Sequence, residues 1–321
     1  MGGRVVVVGS FNVDHVWRCQ ALPQPGETVS GAYATGPGGK GFNQAIAAQR
    51  AGAPTSFLCA LGEDAGAQLA RSLAEADGLD LRDRRSHAPT GSAGIYVDAQ
   101  GRNSIVIGPG ANDDLDPAFI ADSATLLASA SVVLAQLEVP ASTVLAALRA
   151  ARDGGATTVL NPAPANVACD AQLLALADVL TPNETEFAAL ARVHLSEPLQ
   201  ADAVAGLPGA QLHALCRALL PAGSVVLTLG AAGSFVSHAP DRTHGDDAPW
   251  YRVPAERVAT VDTTGAGDAF NGALAASWAT RAQAFAEHVR FAGRFAALST
   301  ELHGAAAAMP RRAEVEARFP G

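Results

Sequence analysis

The segment Asp262-Thr263-Thr264-Gly265-Ala266-Gly267-Asp268 follows a short β-branched run and leads into an Ala-rich helical pattern. Main-chain N–H groups of Gly265, Ala266 and Gly267, gathered at the positive end of a helix, form a nest suited to an anion. A helix beginning near Ala269 gives Asp268 the ordinary duty of an N-cap. Its chemical duty would be that of a general base beside the anion site, which requires a hydroxyl within hydrogen-bond reach. The two duties are compatible. Together they describe amides that cradle phosphoryl-like oxygens and a carboxylate that meets an incoming hydroxyl.

A second glycine cluster, Gly36-Pro37-Gly38-Gly39-Lys40-Gly41-Phe42-Asn43, fits G-x-G-x-x-G through Gly36, Gly38 and Gly41, with acidic Glu63 downstream. A dinucleotide fingerprint, however, follows the first core strand. Here the first strand, Val5–Val8, runs into Ser10-Phe11-Asn12, and the cluster follows a Gly/Pro-interrupted segment instead. It is not a P-loop either, because Gly41 stands where Ser or Thr would follow Gly39-Lys40. A lysine at a helix start opposes the helix dipole, so Lys40 reads as a cation that serves a ligand, with a surface lysine as the alternative.

The elements that position these residues are legible as alternating runs. Strands are expected at Val5–Val8, Ser56–Ala60, Val132–Leu134, Thr157–Leu160, Val179–Leu180, Val225–Leu229 and Val258–Val261. Helices are expected at Asn43–Ala51, Ala65–Ala76, Ala141–Asp153, Glu184–Ala191, Leu212–Leu219 and Phe270–Ala279. Continuous apolar strands between helices indicate a doubly wound, mostly parallel α/β sheet covered on both faces. Two stretches break the alternation: Val16–Thr35, with a strand-like Thr28–Ala34, and Ala93–Ile107, a hairpin turning at Asp98-Ala99-Gln100-Gly101. They suggest a small β lid (13–35 and 93–107) beside a core formed by 1–12, 36–92 and 108–321. Ser196–Gly209 and His238–Pro249 read as solvated connections.

Ligands of open parallel sheets bind beyond the carboxyl ends of the strands, and polar residues gather just past these strands. Asn12 and Asp14 follow the first, Glu138 follows Val132–Leu134, and Asn161 follows Thr157–Leu160. Asn183 and Glu186 follow Val179–Leu180, and Thr228, Gly230 and Gly233 lie at or past Val225–Leu229. Each has a plainer duty taken singly: a turn for Asp14, a helix start for Glu138, a near capping box for Asn183 and Glu186. Their convergence on one edge suggests a site.

Bulk properties narrow the classes. The 321 residues carry a net charge of −9, with 49% apolar and 17% charged residues, which favours a large buried core and disfavours nucleic-acid or anionic-membrane partners. The four cysteines are dispersed without a C-x-x-C pair, so a reducing cytoplasm is expected and a zinc site or disulfide framework is not. Val5–Val8 is too short for a signal peptide or membrane span.

With these residues in hand, the chain resembles the ribokinase branch of the phosphofructokinase-B sugar-kinase family from Val5 to about Pro310. The resemblance rests on Gly38–Asn43 and on Asp262–Phe270. Gly9–Asp14, Pro25–Thr28, Gly110–Asn112, Asn161–Ala163, Thr181–Glu186 and Thr228–Gly230 add to it. It implies a Rossmann-like sheet with a β lid that commonly clasps a homodimer, and ATP-dependent phosphorylation of a sugar hydroxyl, here O5 of D-ribose. It further implies that Asn12, Asp14, Gly39, Lys40, Asn43 and Glu138 hold the sugar, with Asp268 as base and Gly265, Ala266 and Gly267 as anion hole. Asn183 and Glu186 would organise Mg²⁺ and phosphate through water, while Thr228, Gly230, Gly233 and Gly267 would face the nucleotide. Asp262 and Thr264 would hold a monovalent cation, usually K⁺. A nucleoside kinase on the same fold, a dinucleotide-dependent oxidoreductase and a catalytically silent sugar sensor are the alternatives. The chain departs from the family pattern at Ala308 (often serine), at Gly293 (bulkier) and at Phe42 (small).

Overall fold

The computed structural model describes residues 3–320. In chain order the strands are β1 (Val5–Val8), β2 (Asn12–Cys19), β3 (Gly31–Gly38), β4 (Thr55–Leu61), β5 (Asp80–Arg85), β6 (Gly91–Val97) and β7 (Asn103–Gly108). They continue as β8 (Val132–Ala135), β9 (Thr157–Leu160), β10 (Val179–Leu180), β11 (Ser224–Thr228), β12 (Ser234–Ser237) and β13 (Trp250–Val253). A nine-stranded sheet has the order β13-β12-β11-β10-β9-β8-β1-β4-β5, and β3-β2-β6-β7 form a separate four-stranded sheet. In the large sheet the β11–β12 and β12–β13 pairings are antiparallel and the rest are parallel.

β1 shows why the large sheet is buried on both faces. Its valines are fully inaccessible. Val5 and Val7 turn to one apolar core with Phe57 and Leu134, while Val6 and Val8 turn to the other with Leu58 and Val133. Each such side chain contributes about 1.5–3 kcal/mol. Helices Lys40–Arg50, Ala266–Thr280 and Phe285–Ser299 cover the first core; Ala141–Asp153, Glu184–Leu190 and Gly209–Leu219 cover the second.

From β1 the chain builds outward through β4 to β5, then returns to β1's other side at β8 and proceeds to β11. The order therefore reverses between β1 and β8, the place beyond the strand ends where open parallel sheets take their ligands. The small sheet rises from that point. Its four chain crossings meet around Phe11–Asn12, and Asn112 ties them. Asn112 Oδ1 accepts from Phe11 N–H (3.0 Å), while its Nδ2 donates to Phe11 O (3.1 Å) and Asn12 Oδ1 (2.8 Å). A Cβ at Gly91 would stand 2.2 Å from Asn112 Nδ2, so only glycine lets β6 enter beside this knot.

Several expectations are corrected. Val258–Val261 forms no strand: Val261 is 53% exposed and donates its N–H to Thr300 O, with no sheet edge to join. β5, β12 and β13 were not anticipated. The loops read as solvated are partly buried: Val204 is fully buried in a short helix, and His238, also inaccessible, bonds Ser224 Oγ (2.8 Å) and Asp246 (3.0 Å). Asp14 lies within β2, not in a turn.

Candidate active site

The Ala266 helix begins three residues earlier than its apolar pattern suggests. Gly265, at φ 75°, is its N-cap, so Ala266 and Gly267 form the first turn and Asp268 is not the cap. Asp268 is 6% exposed. Its carboxylate turns sideways to the neighbouring Lys40 helix, accepting from Asn43 Nδ2 and Gln44 Nε2, each at 2.9 Å. Gly272 allows this. A Cβ there would stand 2.4 Å from Gln44 O and 2.5 Å from Ala47 Cβ, so the two helices can approach this closely only over a bare backbone.

The free donors differ from the expected Gly265, Ala266 and Gly267 set, because the Ala266 N–H is taken. Ala266 N–H donates to Thr263 O (3.2 Å) and Ala269 N–H to Gly265 O (2.8 Å), but the N–H groups of Gly267 and Asp268 meet no acceptor among the described residues. Space is open where a Gly267 side chain would stand. Two unpaired donors at a positive helix end, next to open space, can take an anionic oxygen.

Glu138 closes the crevice from the β8 side. Its Oε2 accepts from Ser10 Oγ (2.6 Å) and from the Lys40 main-chain N–H (2.9 Å). A carboxylate thus sits on the N-terminus of the Lys40 helix and offsets the unfavourable charge of Lys40 there. Burial lowers the pKa of the Lys40 ammonium, but Asp268, Glu138 and Glu186 outweigh it and raise it. The ammonium forms no ion pair among the described residues. Burial raises the Asp268 pKa, opposed by Lys40 and the Asn43 and Gln44 donors. Asp14 is pushed up to about 7, by burial first and then by Glu138 and Asp268. Asp14, Lys40, Glu138, Glu186 and Asp268 are therefore one electrostatic group. Asn43 Oδ1 is buried without a protein partner.

Asn183 and Glu186 form the anticipated capping box: Glu186 N–H donates to Asn183 Oδ1 and Asn183 N–H to Glu186 Oε2, both at 2.9 Å. Burial raises the Glu186 pKa against the Asn183 N–H and Lys40. No group of three or more acidic, His or Cys side chains could cage a metal among the described residues. That donor set fits an Mg²⁺ ion held chiefly by phosphate and water. Thr228 pairs with Asn183 across an isolated bridge, and Gly230 faces open space. Gly233 differs: at φ 87°, a Cβ would lie 2.0 Å from Val253 O, so β13 packing alone requires glycine there.

Asp262 stands apart from the base. Its Oδ1 accepts from Thr264 N–H (2.9 Å) and Oγ1 (2.6 Å), and its Oδ2 from Gly304 N–H (3.0 Å), joining the nest loop to the segment before Ala308. These hydrogen bonds hold its pKa down against burial. A carboxylate at a loop junction suits a monovalent cation. Phe42 does not line the crevice. It is 1% exposed and packs edge-on against Phe11 at 5.0 Å, so its size affects the core. Asn161, expected only as one of the polar residues past the strand ends, is buried here together with Gln44, Gln136, Thr181 and Asn271, to which the sequence assigns no role.

A profile of the pfkB family carbohydrate kinases matches residues 3–312. The chain belongs to this family. Among curated relatives of this pfkB-family chain, a ribokinase of Haemophilus influenzae is 35% identical over 97% of this chain and 96% of its own. A Staphylococcus aureus ribokinase is 34% identical over 98% and 99%. Among solved structures, ribokinase from Giardia lamblia has a TM-score of 0.86 at 29% identity, covering 99% of this chain and 98% of that one. Arabidopsis thaliana ribokinase complexed with ribose and ATP has a TM-score of 0.80 at 31% identity, covering 98% of each. The ribokinase-like architecture is thus established, large sheet and small sheet alike.

Proposed function

We propose that this kinase transfers the γ-phosphoryl group of ATP to O5 of D-ribose, giving ribose 5-phosphate and ADP. The observation that carries this reading is a single amide. Asn43 Nδ2 is committed to the Asp268 carboxylate, while its buried Oδ1 has no protein partner and is available to a ligand hydroxyl. A reader of sugar hydroxyls and the base are thereby linked. Asp14 and Glu138 offer further acceptors, Asn12 and the Gly39 main chain further contacts, and Lys40 a cation. The ribokinase names of near full-length relatives and the ribose and ATP complex of one of them support the substrate pair.

In this mechanism Asp268 accepts the O5 proton as the oxygen attacks in line. The free N–H groups of Gly267 and Asp268 then take charge on the migrating phosphoryl oxygens, so positioning and charge stabilisation carry most of the rate. ATP would lie along Thr228 and Gly230, near Asn183. When bound, Mg²⁺ neutralises phosphate charge; Glu186 would hold its water shell. Asp262 and Thr264 would hold K⁺, whose charge would steady the nest loop. We assign the four-stranded sheet, expected over 13–35 and 93–107 but reaching to Gly38, Gly91 and Gly108, to a lid that excludes water over a core of the remaining chain. Exposed Tyr33, Ile105, Val106 and Ile107 on that sheet fit a homodimer joined lid to lid. Four unpaired cysteines suit a cytoplasmic setting, and among the described residues no helix is long and apolar enough to cross a membrane. ADP release measured with ribose, adenosine and inosine, with and without K⁺, tests the assignment. Ribose turnover well above that of both nucleosides is expected, and the reverse order overturns it.

A further inference from the structure

Buried polar side chains between the base and the anion hole form a path that returns to its origin. Gln44 Nε2 donates both to Asp268 Oδ1 (2.9 Å) and to Asn161 Oδ1 (3.1 Å). Asn161 Nδ2 donates to Thr181 O (2.9 Å), and Thr181 Oγ1 donates to Asn271 Oδ1 (2.5 Å). Asn271 Nδ2 donates to Gly267 O (2.9 Å). That carbonyl belongs to the same peptide as the Asp268 N–H, one of the two free donors of the nest. The path therefore joins the base's carboxylate to the base's own main-chain amide. It does so through two other parts of the sheet edge, the tails of β9 and β10.

Gln44, Asn161, Thr181 and Asn271 are 0%, 6%, 1% and 2% exposed. Polar groups this deep are costly unless bonded, and a closed network holds its members in one arrangement. Gln44 cannot turn its amide over. Its Oε1 accepts from Gln136 Nε2 at 2.5 Å, and a flip would point that oxygen at the Asp268 carboxylate. The Asp268 carboxylate, accepting from both Asn43 and Gln44, thus orients the Gln44 amide, while Thr181 O and Gly267 O, which can only accept, orient those of Asn161 and Asn271.

We propose that Gln44 and Asn271 are positioning residues that fix the base and the anion hole as one unit. Gln44 aims the carboxylate and favours its ionised form. Asn271 holds the Gly267–Asp268 peptide so that its N–H faces the phosphoryl group. This inference rests on Asp268 being the base, and that reading has its own test in Asp268→Asn.

The experiment measures kcat, sugar KM and the pH profile of kcat for Gln44→Met and Asn271→Ser. Gln44→Met keeps the side chain's length and removes its donor. Its kcat at pH 7 should fall roughly ten- to a hundredfold, the worth of a hydrogen bond to a charged group. Sugar KM should stay within about threefold, as expected for a loss confined to the transition state. The acid limb of kcat should move to higher pH, because a donor to the ionised form has gone. Asn271→Ser should lower kcat while leaving that limb in place. The double variant should lose less than the product of the two single losses, as members of one network do. An unmoved acid limb in folded Gln44→Met, or strictly multiplicative losses, overturns the proposal. Should Gln44→Met fail to fold, parent-like kcat in Asn271→Ser overturns it alone. If Asp268→Asn itself keeps parent turnover, the base reading has failed instead.

Discussion

Asp268→Asn separates the proton-transfer duty of this side chain from its structural one. The substituted amide keeps the shape but presents one oxygen where Asp268 presents two acceptors to Asn43 Nδ2 and Gln44 Nε2, both at 2.9 Å. One of those donors then faces an NH₂ group, which costs about 1–3 kcal/mol. In the opposite direction, the substitution removes a buried charge that desolvation already disfavours. The two terms oppose each other, so Tm should move by no more than about 4 °C. Turnover should behave differently. Loss of a general base removes roughly two to four decades of kcat, or about 2.7–5.4 kcal/mol of barrier at about 1.36 kcal/mol per decade. The assay is ADP release coupled to NADH oxidation at saturating ribose and Mg·ATP, paired with thermal unfolding of the same preparation. A folded variant whose kcat lies within tenfold of the parent refutes the role given to Asp268.

Three further outcomes are expected. Asp14, pushed up to about 7 against an ordinary 3.8, stays protonated in the free folded protein after the unfolded chain has ionised. Stability is therefore lost as pH rises from about 4 to about 7, and the Tm gain of Asp14→Asn over the parent should be larger at pH 8 than at pH 4; equal gains contradict this. Gly267→Val places a side chain in the open space before the nest, so the fold should persist while kcat falls by about two to three decades; activity near that of the parent shows that no phosphoryl oxygen passes there. Val106→Asp, at a position 68% exposed on the small sheet, should give monomers in sedimentation velocity, and an undisturbed dimer removes that face from the interface.

Most of the large sheet could be read from the sequence because β1, β4, β8, β9 and β11 are continuous apolar runs buried on both faces. β5 could not: Asp80-Leu81-Arg82-Asp83-Arg84-Arg85 is an edge strand whose charges face water and ion pairs, such as Arg71–Asp83 at 2.7 Å. Val258–Val261 misleads for the converse reason, being β-branched without a sheet to join. At the site, Asp268 and its glycines stand together in the chain and announce themselves. Gln44 and Asn271 lie within Ala-rich helices, where a polar residue leaves no periodic trace and only contact with distant strands gives it meaning. Phe42 shows the limit of a motif. Its neighbour Asn43 bonds the base and Gly41 packs on the Gly9–Ser10 backbone, while its own ring turns into the core.

Asn112 grips both the amide and the carbonyl of Phe11, at the root of β2, from a position just past β7. The way into the four-stranded sheet and the way out of it are thereby riveted at one point, one residue from Asn12 and a short step from Asp14. On the proposed reading, Asn12 and Asp14 lie on the strand that carries the cover, so a sugar held by them would bear directly on the root of that sheet.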